Sequence, residues 1–67
     1  MSDVVKVVEV LAESSESWEA AARKAVQKAS ETLRNVKSIY IKELLAEVSK
    51  DQITHYRVNA KISFALE

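Results

Sequence analysis

The chain has 67 residues, no cysteine, and ten basic against ten acidic side chains, which give a formal net charge of zero. This length leaves room for one domain over residues 1–67, and a domain so small buries only about 60% of the surface that its unfolded chain exposes. The balanced charge argues against capture of nucleic acid or an anionic membrane, and no apolar run is long enough to span a bilayer.

The first predicted element is a strand over residues 4–11, because this segment is rich in β-branched side chains and nearly all apolar. A polar run follows, in which Ser14 or Ser15 is the predicted N-cap of a helix. Glu16 and Glu19 would then lie in the first helical turn, where the helix dipole favours anions.

Residues 17–34 predict a helix, since they are rich in alanine, lysine, glutamate and glutamine. The apolar side chains recur at helical spacing and form one stripe, with most charged side chains on the other side. The stripe consists of Trp18, Ala21, Ala22, Ala25, Val26, Ala29 and Leu33. Trp18 is expected to anchor the helix to the sheet or to a neighbouring subunit. Asn35 is the predicted helix stop, since asparagine accepts the left-handed conformation.

Residues 36–48 predict a second strand, whose broken alternation is typical of a strand with different partners on its two faces. Residues 49–52 form the predicted turn, and residues 53–66 a third strand. From Tyr56 to Leu66 the even positions are apolar and the odd ones mostly polar, which indicates one buried face and one wet face. A strand of this length is too long for so small a chain to cover alone, so an oligomer is expected.

These elements predict an α+β fold in the order β-α-β-β, with a three-stranded antiparallel sheet packed on one helix. The order, the helix entry Ser14-Ser-Glu-Ser-Trp-Glu-Ala-Ala21 and the ending Tyr56-Arg-Val-Asn-Ala-Lys-Ile-Ser-Phe64 resemble the dodecin family over essentially the whole chain. The resemblance implies a hollow homododecamer that is not an enzyme. It also implies a flavin cofactor (riboflavin, FMN or FAD), held as stacked pairs between symmetry-related subunits.

The resemblance further implies a ligand site at Ser38, Leu45, Arg57 and Ala65. Flavin-binding relatives have a stacking tryptophan at the position of Ser38, arginines at those of Leu45 and Ala65, and a glutamine at that of Arg57. Since none of the four is retained, we expect flavin binding to be weak or absent. Tyr40 lies two residues from Ser38 on the same face of its strand and is a fifth candidate, although packing at a subunit contact is the favoured interpretation.

The leading functional hypothesis is a dodecin-like shell that binds or sequesters small ligands at subunit interfaces; the alternative is a structural oligomer whose flavin pocket has decayed. An enzyme is not expected, because the sequence shows no nucleophile–base pair, metal cluster or phosphate loop. Arg57 has two readings, a ligand contact or a salt bridge on the wet face of the third strand. His55 is expected to be exposed.

No metal site is predicted, although Glu43, Glu47 and Asp51 could together bind a hard cation at a symmetry axis. The N-terminus lacks a basic segment followed by an apolar one, so no signal peptide is predicted. A cytoplasmic location is therefore expected, with other copies of the chain and a small molecule as partners, and neither nucleic acid nor membrane.

Overall fold

The computed structural model describes residues 4–66 and confirms the predicted β-α-β-β order. The four elements are β1 (Val5–Ser14), α1 (Trp18–Thr32), β2 (Val36–Ser49) and β3 (Gln52–Ala65). The strands form one antiparallel sheet in the order β1-β3-β2, so β3 is central and pairs with both neighbours. The predicted α+β fold, with a three-stranded sheet on one helix, is confirmed.

The predicted N-cap of α1 was wrong. Ser17 caps the helix, and its Oγ accepts a hydrogen bond from the backbone N–H of Ala20 at 2.9 Å. Ser14 is instead the last residue of β1, which runs three residues further than predicted because it pairs with β3 along its whole length. Glu16 therefore precedes the helix, and Glu19 is the acidic residue in the first turn.

The C-terminal end of α1 lies earlier than predicted. Leu33 is the C-cap, has an extended backbone, and donates its N–H to the carbonyl of Ala29 at 2.8 Å. Asn35 does adopt the predicted left-handed conformation, with φ of 60°, but two residues after the cap. Its carbonyl accepts a hydrogen bond from the Ala65 N–H at 3.0 Å, which ties the link before β2 to the end of β3.

The core lies between α1 and one face of the sheet. The even positions of β3 supply its centre, where Val58, Ala60 and Ile62 are fully buried. Two residues of the predicted helical stripe, Ala21 and Ala25, are buried against them, and the other members of the stripe are half-buried. Because alanine has a single methyl side chain, the helix can approach the strands closely, as the stripe predicts.

Bulges explain the broken alternation of β2. Ile41 lies opposite Ala60, and after one extra residue, Lys42, Leu44 lies opposite Val58. Because of the extra residue, the odd-numbered side chains Ile39 and Ile41 face the helix before the bulge, and the even-numbered side chains Leu44 and Ala46 face it after the bulge. The broken alternation therefore reflects a register shift, and the two faces of β2 also differ in their surroundings, since α1 packs on one of them and the other belongs to the uncovered side of the sheet.

Trp18 fixes the start of the helix to the sheet. Its indole Nε1–H donates to the carbonyl of Leu45 on β2 at 2.8 Å. Its ring meets that of Tyr56 on β3 edge-on, with the centroids 4.9 Å apart and the planes at 75°. The half-buried indole therefore contacts both strands of the β2–β3 hairpin, and its predicted role as an anchor to the sheet is confirmed.

The sheet face that points away from α1, called the open face below, has no covering element among residues 4–66. Strand pairing places the odd residues of β1 and β3 there, together with Ser38, Tyr40, Glu43, Leu45 and Glu47 of β2. Several large apolar side chains of this face are 46–66% exposed, namely Val5, Val7, Leu11, Tyr40 and Leu45. In the described part of the chain, α1 is too short and too polar to cross a membrane.

Candidate functional site

All five predicted site residues lie on the open face, but they do not form one cluster. Leu45 of β2 lies directly opposite Arg57 of β3. Ser38 lies opposite Ser63, six residues along β3 from Arg57, which corresponds to about 20 Å at the usual rise of a strand. Ala65 lies further still in that direction, so the five positions do not line a single pocket of one chain.

Ser38 makes a hydrogen bond inside the sheet. Its Oγ lies 2.6 Å from the Oγ of Ser63, the residue directly across on β3. The hydroxyl is thus engaged within the chain, and serine has no ring on which a flat ligand can stack. Tyr40 lies on the same face as Ser38, as the sequence predicted. It pairs with Lys61 and is 64% exposed.

Arg57 lies between two carboxylates, one from each neighbouring strand. Its Nη2 is 3.4 Å from an oxygen of Glu13 on β1 and 3.2 Å from an oxygen of Glu47 on β2. The salt-bridge reading of Arg57 is therefore confirmed. Sequence reasoning missed both partners, because the pairing of Glu13 with Arg57 depends on β1 running past residue 11 and on the register of β1 against β3.

The charges of Glu13, Glu47 and Arg57, together called the Arg57 cluster, affect one another. Hydrogen bonding with the Glu47 carboxyl and the positive charge of Arg57 lower the pKa of the Glu13 carboxyl below its ordinary value of 4.5, against a smaller opposing effect of desolvation. Glu13 is therefore a carboxylate at neutral pH. His55 also lowers the pKa of Glu13 slightly; its exposed ring lies next to Thr54, with Nδ1 3.3 Å from that hydroxyl oxygen.

Two further polar contacts cross the open face. Asn59 donates from Nδ2 to a carboxylate oxygen of Glu43 at 3.2 Å, while its Oδ1 is buried without a hydrogen-bond partner. The bulge residue Lys42 reaches across β3 to Glu9 on β1, with Nζ 3.3 Å from the carboxylate. These pairs could not be predicted from the residues alone, because each depends on strand register.

A groove of about 650 Å³ runs between α1 and the free edge of β1. Its lining is mainly apolar, and two lysines of α1 lie along the helix side. The lining residues are Val10, Leu11, Ala12, Glu13, Lys24, Ala25, Lys28, Ala29 and Arg57. Lys24 crosses it and donates to the Glu13 carbonyl at 2.9 Å, which fixes the helix to the end of β1.

The three acidic residues considered for a cation are held apart by different contacts. Glu43 binds Asn59 and Glu47 binds Arg57, whereas Asp51 lies in the β2–β3 turn with φ of 66°. Within residues 4–66 no group of three or more histidine, cysteine, aspartate or glutamate side chains is placed to hold a metal ion.

Comparison with known proteins gives one consistent result. The dodecin family model matches residues 4–67. The dodecin of Thermus thermophilus is 33% identical over 67 residues, which cover 100% of this chain and 97% of the relative. The solved structure of dodecin from Streptomyces coelicolor superposes with a TM-score of 0.92 at 32% identity, covering 100% of this chain and 97% of that one. A calcium-chelating antigen of Mycobacterium tuberculosis, calcium dodecin, gives a TM-score of 0.83 at 29% identity, with 97% and 93% coverage.

Proposed function

Because the chain belongs to the dodecin family, we propose that this dodecin-like small-ligand-binding protein assembles as a hollow homododecamer and holds its ligands where subunits meet on the open face. The observation that carries the proposal is the open face itself. Its five large apolar side chains are 46–66% exposed, whereas among residues 4–66 the large side chains that are fully buried are Val58 and Ile62. No catalytic role is part of the proposal.

The free energy available from covering this face supports assembly. Full burial of a valine or leucine side chain contributes about 1.5–3 kcal/mol, and roughly half of that remains available at each of the five positions. The sum is roughly 4–8 kcal/mol per subunit, comparable with the whole folding stability of a small domain. Contacts with other copies would thus turn a marginal monomer into a stable particle.

The ligand is proposed to be a small molecule, with flavin bound weakly or not at all. The family's stacking position holds Ser38, whose hydroxyl is engaged by Ser63. An aromatic stacking contact contributes about 1–3 kcal/mol per base-like ring, and serine cannot supply it. Tyr40 is the exposed aromatic side chain on this face and is the available substitute.

The alternative is a structural oligomer whose flavin pocket has decayed. The observation that favours it is that the polar groups at the family's ligand positions have partners within the chain. Ser38 binds Ser63, and Arg57 is held by two carboxylates.

Native mass spectrometry of freshly purified protein tests the proposal. We expect a particle of twelve times the 7.5 kDa subunit mass, with an additional mass from retained small molecules. A bare dodecamer that neither retains nor takes up small molecules would support the structural alternative. Added riboflavin at micromolar concentration should show little quenching of its fluorescence, and strong quenching would show that flavin is the ligand.

A further inference from the structure

β1 is an edge strand of the sheet, and its outer side pairs with no strand among residues 4–66. The even residues of β1 are the ones that bond to β3, because the N–H of Leu66 donates to the carbonyl of Val4 at 3.0 Å and the register continues from there without a shift. In an antiparallel ladder the alternate residues direct both N–H and C=O away from the paired strand. Val7, Glu9 and Leu11 therefore present backbone donors and acceptors at the outer edge.

The contact at Glu13 agrees with this orientation. Glu13 is also an odd residue of β1, and its carbonyl accepts a hydrogen bond from Nζ of Lys24 on α1, at 2.9 Å. The groove of about 650 Å³ lies along the same edge. Its lining includes Val10 and Ala12 from the helix side of β1 and Leu11 from the open face, so an extended segment in the groove would contact both faces.

The helix side of this groove is positively charged. Lys24 donates to a neutral carbonyl, makes no ion pair with residues 4–66, and keeps its other N–H donors available. Lys28 has a loose pair with Glu31, at 3.8 Å between two well-exposed side chains. The other charged lining residues, Glu13 and Arg57, bind each other at 3.4 Å. The two lysines therefore give the groove its net positive charge.

The spacing of Lys24 and Lys28 matches that of a strand. Four residues of an α-helix rise by about 6 Å, and two residues of a β-strand by about 6.6–6.8 Å. Side chains two residues apart on a strand point to the same face. Carboxylates at positions i and i+2 of an extended segment would therefore reach both lysines. The residue between them would point to the opposite face, beside Leu11, which is 66% exposed.

From this geometry we propose that the groove between α1 and β1 is a docking site for an extended acidic segment of a partner protein. The segment adds to the outer edge of β1 and has the pattern acidic–apolar–acidic. Its central residue hydrogen-bonds the backbone of Leu11 and packs its apolar side chain there, while its two carboxylates bind Lys24 and Lys28. In strand addition of this kind, backbone hydrogen bonds supply affinity and alternate side chains supply specificity.

The segment comes from a different protein. Acidic residues two positions apart do not occur in residues 1–67, so this sequence in another copy does not supply the pattern. The site lies at the edge of the sheet and does not depend on a small ligand on the open face. Failure of the small-ligand proposal would therefore leave this one standing, and the reverse is also true.

Fluorescence anisotropy with labelled peptides tests the proposal on the purified full chain. The peptide Thr-Thr-Glu-Val-Glu-Thr-Thr should bind at up to one peptide per chain. It should bind at least ~5-fold more tightly than Thr-Thr-Glu-Glu-Val-Thr-Thr, which has the same composition but places its carboxylates on opposite faces of a strand. Equal affinity for the two peptides, or binding of neither, would overturn the proposal.

A charge reversal tests the role of the lysines. Lys24→Glu with Lys28→Glu should abolish binding of the acidic peptide and create binding of Thr-Thr-Lys-Val-Lys-Thr-Thr. The matched control is Lys37→Glu with Lys50→Glu, which makes the same change of charge at exposed positions outside the groove. The control should keep the affinity for the acidic peptide within about 2-fold, because salt screens distant exposed charges. An equal loss in both variants would show that binding follows net charge, and the proposal would be wrong.

Leu11→Pro tests the backbone pairing. Proline removes the outward N–H that the segment needs, and an edge strand tolerates proline where that N–H faces solvent. Binding should be lost in this variant, whereas Leu11→Thr keeps the N–H and should retain most of it. Where Leu11→Pro does not fold, hydrogen exchange of the wild type decides. The Leu11 amide should exchange at least ~10-fold more slowly with the acidic peptide bound, and an unchanged rate would contradict strand addition.

Discussion

Replacing Trp18 by alanine should destabilise the protein by about 3–5 kcal/mol, the range measured for loss of large buried aromatic side chains. Three interactions of Trp18 in the structure together account for a loss of folding free energy of this size. The half-buried indole removes roughly 100 Å² of apolar surface from water, which contributes about 2.5 kcal/mol. The edge-on contact with Tyr56 contributes about 0.5–1.5 kcal/mol, and the hydrogen bond to the Leu45 carbonyl about as much again.

Far-UV circular dichroism in a guanidinium titration measures this change without relying on the fluorescence of the residue removed. Because 1 kcal/mol shifts the melting temperature of a domain this small by about 4–8 °C, the variant should melt at least ~12 °C lower. Trp18→Phe is the matched control, since it keeps a ring against Tyr56 and loses the indole N–H; it should lose no more than about half as much. A Trp18→Ala protein within 1 kcal/mol of the wild type, at equal subunit concentration, would refute the anchoring role.

Three other changes have defined outcomes. Ser38→Trp with Arg57→Gln should tighten riboflavin binding by roughly one to two decades in a fluorescence titration, because stacking returns about 1–3 kcal/mol per ring. Ile62→Ala should lower the free energy of unfolding by about 2–5 kcal/mol in a urea titration, since Ile62 is fully buried. Glu13 has a lowered pKa in the folded chain, so its stabilising contribution is present above pH 4.5 and lost as the pH falls through that lower pKa. Glu13→Gln should therefore make the melting temperature fall less between pH 6 and pH 3, and an unchanged profile would show that the Arg57 cluster does not contribute.

The element order could be predicted because hydrophobic periodicity reports burial directly. The central even positions of the third strand, Val58, Ala60 and Ile62, are buried where the alternation placed them, whereas Thr54 and Leu66 at its ends are exposed. The stripe from Trp18 to Leu33 faces the sheet. The element ends were harder to predict, because the five polar residues 13–17 include three serines that could each cap the helix. Ser17 caps the helix only because β1 continues to Ser14, and that continuation depends on pairing with β3.

The candidate site shows the same division between local and long-range information. Alternation alone put Tyr40 on the same face as Ser38, and the structure agrees. The partners of Arg57 could not be predicted, since Glu13 and Glu47 are 44 and 10 residues away in sequence and meet it only in one register. The bulge at Lys42 sets the register between β2 and β3, and in the sequence it is visible only as an interruption of the apolar–polar alternation.

Light scattering over a dilution series shows whether other copies of the chain cover the open face. We expect a particle of twelve times the 7.5 kDa subunit mass that persists on dilution to low micromolar concentration. A particle of 7.5 kDa at every concentration would contradict it, because the exposed apolar side chains of the open face would then be stable in water without a partner.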